Sequence, residues 1–389
     1  VIIMKKSYLI TILTITLIII VILLVGCGGP VKENKNQSNN STQTVAGDEV
    51  TNQEDQVTDL ESVNSDPGNE KLILQNSEDK KIQYFSPFTG MPIKEMLMEK
   101  AVMVSIENAP QAIPQSGLES ASIIYEFLVE GGITRFLALY WGDLPDKVGP
   151  VRSLRPYLIS TALEYNALLL HAGASPAGFE MLEETRIEHL DQIYNGRYYW
   201  RSIDREPPHN LYTGSQKIEP YLDKLTGQEY NSRFTFQNVS FINPNDKKAD
   251  YLIINYWGGT RVIYRFVPGE NTYKRFYSLT EKPHLTDQGQ QLQARNIIVQ
   301  YVTIRVVDEV GRLEMELSGR GEALIFRDGI VIEGFWENNG EGWTGFYDDI
   351  GQEISLNPGQ TWIEVVPTTV NVQYGSEANG VKENRNSDS

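Results

Sequence analysis

Hydrophobic and polar positions fall into three textures along this chain. From Tyr8 to Val25 almost every residue is apolar, with Lys5 and Lys6 just before the run. From Gly28 to Ile82 large apolar residues are sparse among Asn, Gln, Ser, Asp and Glu. From Tyr84 onward, apolar runs of strand or helix length are separated by Gly, Pro and Asn. This third texture is where a packed core is expected, over residues 83–230 and 240–367, and the stretch 368–389 reverts to the polar texture and is expected as a disordered tail.

Within 83–230, "AVMVSI" (101–106) is short and apolar enough for a strand. "SIIYEFLVE", Gly131-Gly132 and "ITRFLALYW" predict a hairpin closed by a two-residue turn. That register pairs Glu130 with Ile133, Leu128 with Arg135 and Glu126 with Leu137. It therefore predicts that Arg135 contacts the carboxylate of Glu126 or Glu130. Pro156 suits a first helical position, and "YLISTALEYNAL" follows with apolar residues at helical spacing. Ser175-Pro176 reads as a cap and first position opening "AGFEMLEET", and "SQKIEPYLDKL" (215–225) predicts a third short helix. A hairpin and helices without regular β-α-β repeats indicate an α+β class.

Over 240–367 the pattern turns to strands alone, from "DYLIINYW" through "NIIVQYVTIRVV" to "TWIEVV", with Asp328-Gly329 a type I′ hairpin signal. The expectation is a second, antiparallel β-rich domain.

The amino-terminal run changes the picture most. It stops at Leu24-Val25-Gly26-Cys27, and small residues before a Cys directly after an apolar segment are the pattern of a bacterial lipoprotein signal. Residues 1–26 then form the signal peptide and 27–82 a lipid-anchored, disordered tether with an r.m.s. reach of roughly 40 Å. The competing reading is a plain spanning helix, since the run approaches the ~20 residues needed. Cys27 is the one cysteine of the chain, so lipidation would leave no thiol for a disulfide or a thiolate site. Two acyl chains on it anchor stably where one would be marginal. The start codon is Val1 or, from the Met-Lys-Lys that follows, Met4. A net charge of −17 with no basic cluster excludes nucleic acid as a partner and opposes lying flat on anionic lipid.

"SPFTGMP", "IENAPQAIPQSGL", "YEFLVEGGITRFLALY", "GPVRSLRPY", "HAGASP" and "PPHNLYTG" in the first region carry a resemblance, as do "NIIVQY", "RDGIVIEGFW" and "LNPGQTWIEVVP" in the second. On these motifs the chain resembles the YerB-like bacterial lipoproteins over about residues 84–367. The resemblance implies a layered first domain of two sheets with helices and a β-rich second domain. It implies no activity.

Four groups could carry chemistry. Ser175 follows an apolar strand and His171, but a nucleophile elbow needs small residues on both sides. Pro176 comes next and removes the N–H that would help form an oxyanion hole. A helix cap is the expected role. Arg152 and Arg155 in "GPVRSLRP" stand beside a helix start and suit a phosphate or carboxylate, unless Glu126, Glu130 or Glu164 pairs with them. His209-Asn210, after two prolines, offers an acid or base near neutrality or simply a turn histidine. The long connection 107–118 adds Glu107, Asn108, Gln115 and Ser116, and Glu107 is expected to share a pocket with Arg152, His171 and His209. "NGRYYWR" could stack on a sugar, or Tyr198, Tyr199 and Trp200 serve packing. The four histidines are scattered, so no metal and no cofactor is expected.

Two functions remain. The favoured one is a lipid-anchored, extracytoplasmic binding or accessory module for a cell-envelope partner, either a cell-wall synthesis protein or a wall polymer. The other is an envelope hydrolase or transferase on a phosphate- or sugar-containing substrate, using Arg152, Arg155, His171 and His209. Convergence of both histidines and both arginines on one pocket would favour the enzyme.

Overall fold

The computed structural model describes residues 83–238, 242–340 and 342–376. The leader, Cys27 and the tether lie outside the described residues, as does the chain after 376. The apolar runs become strands β1 (Val102–Glu107), β2 (Ile123–Leu128), β3 (Thr134–Tyr140), β4 (Leu168–His171) and β5 (His189–Asp191). They are followed by β6 (Tyr251–Asn255), β7 (Arg261–Val267), β8 (Thr272–Tyr277), β9 (Asn296–Val302) and β10 (Gly319–Arg327). Then come β11 (Ile330–Asn338), β12 (Gly345–Asp348), β13 (Thr361–Pro367) and β14 (Val372–Gly375). The helices are α1 (Pro156–Glu164), α2 (Pro176–Thr185) and α3 (Ser215–Leu222).

One ten-stranded sheet runs in the order β12-β11-β10-β9-β13-β2-β3-β1-β4-β5. Half its strands come from each of the two regions separated by sequence texture, and they meet where β13 lies parallel to β2, Thr361 opposite Ile123. Strands β9 and β13 are also parallel, against the expected antiparallel pairing, because the β10–β12 meander acts as the crossover that a parallel pair requires. Otherwise the carboxy-terminal half is antiparallel, and the class is α+β as expected. A second sheet, β8-β7-β6-β14 with short flanking strands, forms another layer. One face of the large sheet packs Phe127 and Tyr125 against Tyr157 and Tyr165 at and just after α1. The other face sets Phe136 and Trp362 against Arg275 and Tyr264 of the second sheet.

Three local expectations are met. The Asp328-Gly329 turn closes Arg327 opposite Ile330, with φ of +57° and +73°. Ser175 caps α2, its hydroxyl accepting from Gly178 N at 3.1 Å. Helix α3 begins at Ser215 and ends a turn earlier than expected, at Leu222.

Two further expectations are corrected. Strand β14 falls inside the stretch expected as a disordered tail: it pairs antiparallel with β6, and its Val372 and Tyr374 are buried, Tyr374 against Phe326 of β10. The β2–β3 hairpin is out of the expected register by one residue, with Phe127 opposite Arg135 and Glu126 opposite Phe136. The turn holds three residues, Glu130-Gly131-Gly132, closed by Val129 N to Ile133 O at 2.9 Å. Glu130 leaves the strand to bind Arg155, and a shift of one residue reverses a strand's faces. Arg135 and Glu126 therefore point to opposite sides of the sheet.

Candidate functional site

Strands β1 and β4 run parallel from Val102–Val104 beside Leu168–Leu170, and then part. The segment Pro150–Leu154 enters the gap. Arg152 N donates to Ser105 O, Glu107 N donates to Pro150 O, and Ala172 N and Leu154 N bond Arg152 O and Gly173 O. This extended segment sets Arg152 beside Glu107 at the end of β1, and it delivers Arg155 to the start of α1.

Glu107 is the hinge of the first group. Its carboxylate accepts from Arg152 Nη2 at 2.6 Å, and His209 Nδ1 lies 3.0 Å from both its oxygens. Arg152 Nη2 also lies 3.2 Å from His209 Nδ1. A carboxylate only accepts and a guanidinium only donates, so Nδ1 serves one of the two: protonated it donates to Glu107, unprotonated it accepts from Arg152. Glu107 is buried, whereas the Arg152 and His209 side chains are each about a quarter exposed. Asn210 stands behind His209 and braces its loop, donating to Ser202 O at 3.0 Å and accepting from Arg201 Nη1 at 2.8 Å. Arg205 fastens the same loop to the 107–118 connection through Ala112 O at 2.7 Å.

Arg155 forms the second group. Its Nε and Nη2 grip both oxygens of Glu130 at 2.5 and 2.8 Å, and its Nη1 reaches Ser153 Oγ at 3.1 Å. Burial opposes ionisation of Glu130, but Arg155 outweighs it and holds the carboxyl below its usual range. Arg135 reaches the same serine from β3, donating to Ser153 O at 2.5 Å. Sequence reasoning assigned Arg135 to a hairpin ion pair and so missed its place here, which depends on the one-residue register difference.

His171 does not join these residues. Its Nδ1 lies 2.9 Å from Gly173 O and its Nε2 3.0 Å from His189 Nδ1. The carbonyl demands a proton on Nδ1, so Nε2 accepts from His189. Burial is the main reason His171 falls to about 4. Tyr198 and Tyr199 are core residues, Tyr199 OH donating to Leu190 O, and Trp200 stacks on Tyr212. Among the described residues no set of three His, Cys, Asp or Glu is placed to hold a metal.

A larger polar network lies on the opposite face of the sheet. Arg275 of β8 donates to Glu126 Oε2 at 2.5 Å, Glu364 Oε1 at 3.0 Å and Tyr264 OH at 2.5 Å, and its Nε donates to His284 Nδ1 at 3.1 Å. Tyr256 and Tyr264 both donate to Glu364. His284 Nε2 then donates to Gln115 Oε1 at 2.8 Å, and Gln115 donates to Glu107 O and Asn108 Oδ1. The chain of bonds thus runs from the buried Arg275 to the backbone of Glu107. Glutamates inside the apolar runs "SIIYEFLVE" and "TWIEVVP" were sequence signals for it.

The comparisons with known proteins bear on this arrangement. Residues 88–229 match the N-terminal domain of a family described as a protein of unknown function (DUF3048), and residues 252–363 match its C-terminal domain. The chain belongs to the DUF3048 family. It is 30% identical over 290 residues to "Putative lipoprotein YerB" of Bacillus subtilis (strain 168), covering 72% of this chain and 86% of that protein. The crystal structure of YerB protein from Bacillus subtilis superposes with a TM-score of 0.66 at 28% identity, over 74% of this chain and 99% of that one. Every site residue named above from Glu107 to Asn210 falls within the DUF3048 N-terminal match, and Arg275 within the C-terminal match. No helix among the described residues is long and apolar enough to cross a membrane.

Proposed function

We propose that this DUF3048 protein is a lipid-anchored, extracytoplasmic binding or accessory module that serves a cell-envelope partner, a cell-wall synthesis protein or a wall polymer. Acylated Cys27 holds it to the cell membrane, and the stretch 27–82 gives the head its reach. The observation that carries the reading is how the candidate acid–base groups are occupied. Glu107 ties up Arg152 and His209, Glu130 ties up Arg155, and His171 is turned toward Gly173 and His189. Ser175 Oγ is spent on its helix cap. A hydrolase needs a nucleophile within hydrogen-bond reach of its base, whereas a binding surface needs rigid, oriented charge. The naming of a relative as a lipoprotein supports the anchor.

Two measurements test this reading. Cys27→Ala should abolish incorporation of labelled fatty acid and leave the protein uncleaved or mislocalised. Normally processed, diacylglycerol-linked protein from that variant would refute the anchor. Crosslinking in intact cells should capture an envelope protein or wall polymer from wild type, and capture no stronger than from Cys27→Ala would count against the accessory role.

A further inference from the structure

After β9 the chain leaves the large sheet at Thr303 and returns to it at Gly319, and between them stands a hairpin arm. Among the described residues its strands, Ile304–Val306 and Leu313–Met315, pair only with each other. Glu316 N donates to Thr303 O at 3.0 Å and Val307 N to Arg312 O at 2.8 Å. Bonded pairs alternate along an antiparallel ladder. Thr303, Arg305 and Val307 therefore bond inward, while Ile304 and Val306 turn their N–H and C=O groups outward. No described strand meets that outer edge. Two strands alone are marginally stable in water, and an open edge is a template for another chain.

The side chains point the same way. Val306 lies opposite Leu313, so both share one face of the arm. Leu313 is 7% exposed, yet Val306 is 59% exposed, with Val307 and Val310 at 51% and 65%. An apolar row thus starts in the core at Leu313 and ends open at Val306. The charges beside it cancel: Arg305 Nε pairs with Glu314 Oε2 at 2.8 Å, and Arg312 Nη1 with Asp308 Oδ2 at 2.6 Å. Among the described residues Glu309 alone keeps an unanswered charge between Ile304 and Met315. On a chain of net charge −17, this nearly neutral strip is where a second copy meets little repulsion.

From this edge we infer that the arm is a contact between two copies of this chain, joined strand to strand about a two-fold axis at Val306. Identical edges run antiparallel about such an axis, so each Val306 N–H donates to the C=O of the other copy's Val306. The apolar row then runs unbroken across four strands, from Leu313 and Val306 of one copy to Val306 and Leu313 of the other. A strand edge selects polypeptide, because main-chain hydrogen bonds supply the affinity. The contact goes beyond the accessory reading and leaves the envelope partner to other surfaces. It rests on that reading only for the acylation of Cys27, which removes the native thiol from the test.

That test is Val306→Cys in the full-length protein on intact cells, under a mild oxidant. Cα atoms of a hydrogen-bonded antiparallel pair stand ~5.5 Å apart, inside the span of a disulfide. A disulfide-linked dimer should form about tenfold faster or more than from Val310→Cys, which is as exposed but off the axis. Sedimentation of the purified acylated protein in detergent, with the micelle matched out, should show a dimer that dissociates on dilution. Val306→Lys sets two ammonium groups face to face and should weaken it about tenfold or more. Equal crosslinking at the two positions, or a disulfide to some other protein, overturns the contact. So does a single-copy mass at every concentration, or an undiminished dimer of Val306→Lys. If Val306→Lys does not fold, the two cysteine variants decide alone. A monomer with envelope-partner capture intact defeats only this contact, and a dimer without capture defeats only the accessory role.

Discussion

Glu364 lies opposite Glu126 across the parallel β13–β2 pair, and two like charges side by side in a buried sheet are costly. Burial first, then the Glu126 charge, raise the Glu364 carboxyl to about 8, so near neutrality the protonated carboxyl turns the Tyr256 bond round and donates to the tyrosine oxygen, while Arg275 answers Glu126. The fold therefore holds a proton that the unfolded chain, with an ordinary carboxyl near 4.5, has already released. The stability this group contributes is complete below about 4.5 and is lost as pH rises through about 8. Glu364→Gln removes that titration, so chemical denaturation at pH 5 and pH 8 should find the variant gaining on wild type at the higher pH. Parallel pH profiles would defeat the assignment. His171 acts in the opposite sense: its pKa is lowered to about 4 in the fold, so its contribution is present above about 6.5 and fades as pH falls toward 4. Ser175 is simpler. Ser175→Ala should cost about 1 kcal/mol in a melt, and Ser175→Asp should keep the fold because a carboxylate caps as well and suits the dipole. A serine-directed fluorophosphonate should leave wild type unlabelled, and stoichiometric labelling at Ser175 would overturn the cap.

At the scale of elements, the β2–β3 turn does more than reverse the chain. Gly132 abuts the Trp257-Gly258-Gly259 turn between β6 and β7 so closely that a Cβ on it would lie 2.4 Å from Gly258 Cα. Thr260 Oγ1 adds a bond to Gly132 O at 2.8 Å. Gly131 has the same left-handed φ, +72° against +71°, yet a Cβ there meets nothing within 4 Å. Gly131→Ala should thus cost only the left-handed backbone penalty, roughly 1–2 kcal/mol. Gly132→Ala should cost that and the clash in addition. Equal losses in urea denaturation would show that the two turns do not meet. The hairpin was legible in the alternation of "YEFLVEGGITRFLALY", but its register was not. Two glycines look like a whole turn, and the sequence has no local mark that Glu130 will leave the strand for an arginine 25 residues away.

For the whole molecule, the sheet and the Arg275 network bind the two sequence regions together. Strand β2 pairs with β13 along Ile123–Phe127, and Glu126 has its cation 149 residues away. Expressed alone, residues 83–238 would expose that sheet edge and leave Glu126 buried without Arg275, so no cooperative unfolding transition is expected from the fragment. Co-expression with 242–376 should restore one. Arg275→Met should destabilise the full chain by about 3–5 kcal/mol, the usual loss when one partner of a buried ion pair is removed. A fragment that melts cooperatively by itself, or an Arg275→Met chain of wild-type stability, would show that the halves stand independently.

What the amino-acid sequence determined by itself is what local physics controls. The Asp328-Gly329 turn follows from residues that tolerate positive φ, and the start of α2 from a hydroxyl followed by a proline. The class follows from where runs of period two and period 3.6 lie. The candidate site was half legible for the same reason. Arg152, Arg155, His209 and Asn210 stand in loops where Gly and Pro mark special backbone, and Glu107 ends a strand. Which of them meet was decided only in three dimensions. The gap between β1 and β4 admits the arginine loop and brings Glu107 to Arg152 and His209, while the pairing of β4 with β5 turns His171 to His189 instead. The neighbours of Glu126, Glu364 and Arg135 follow from strand order and register, which depend on packing between segments far apart in the chain and leave no mark within a local window.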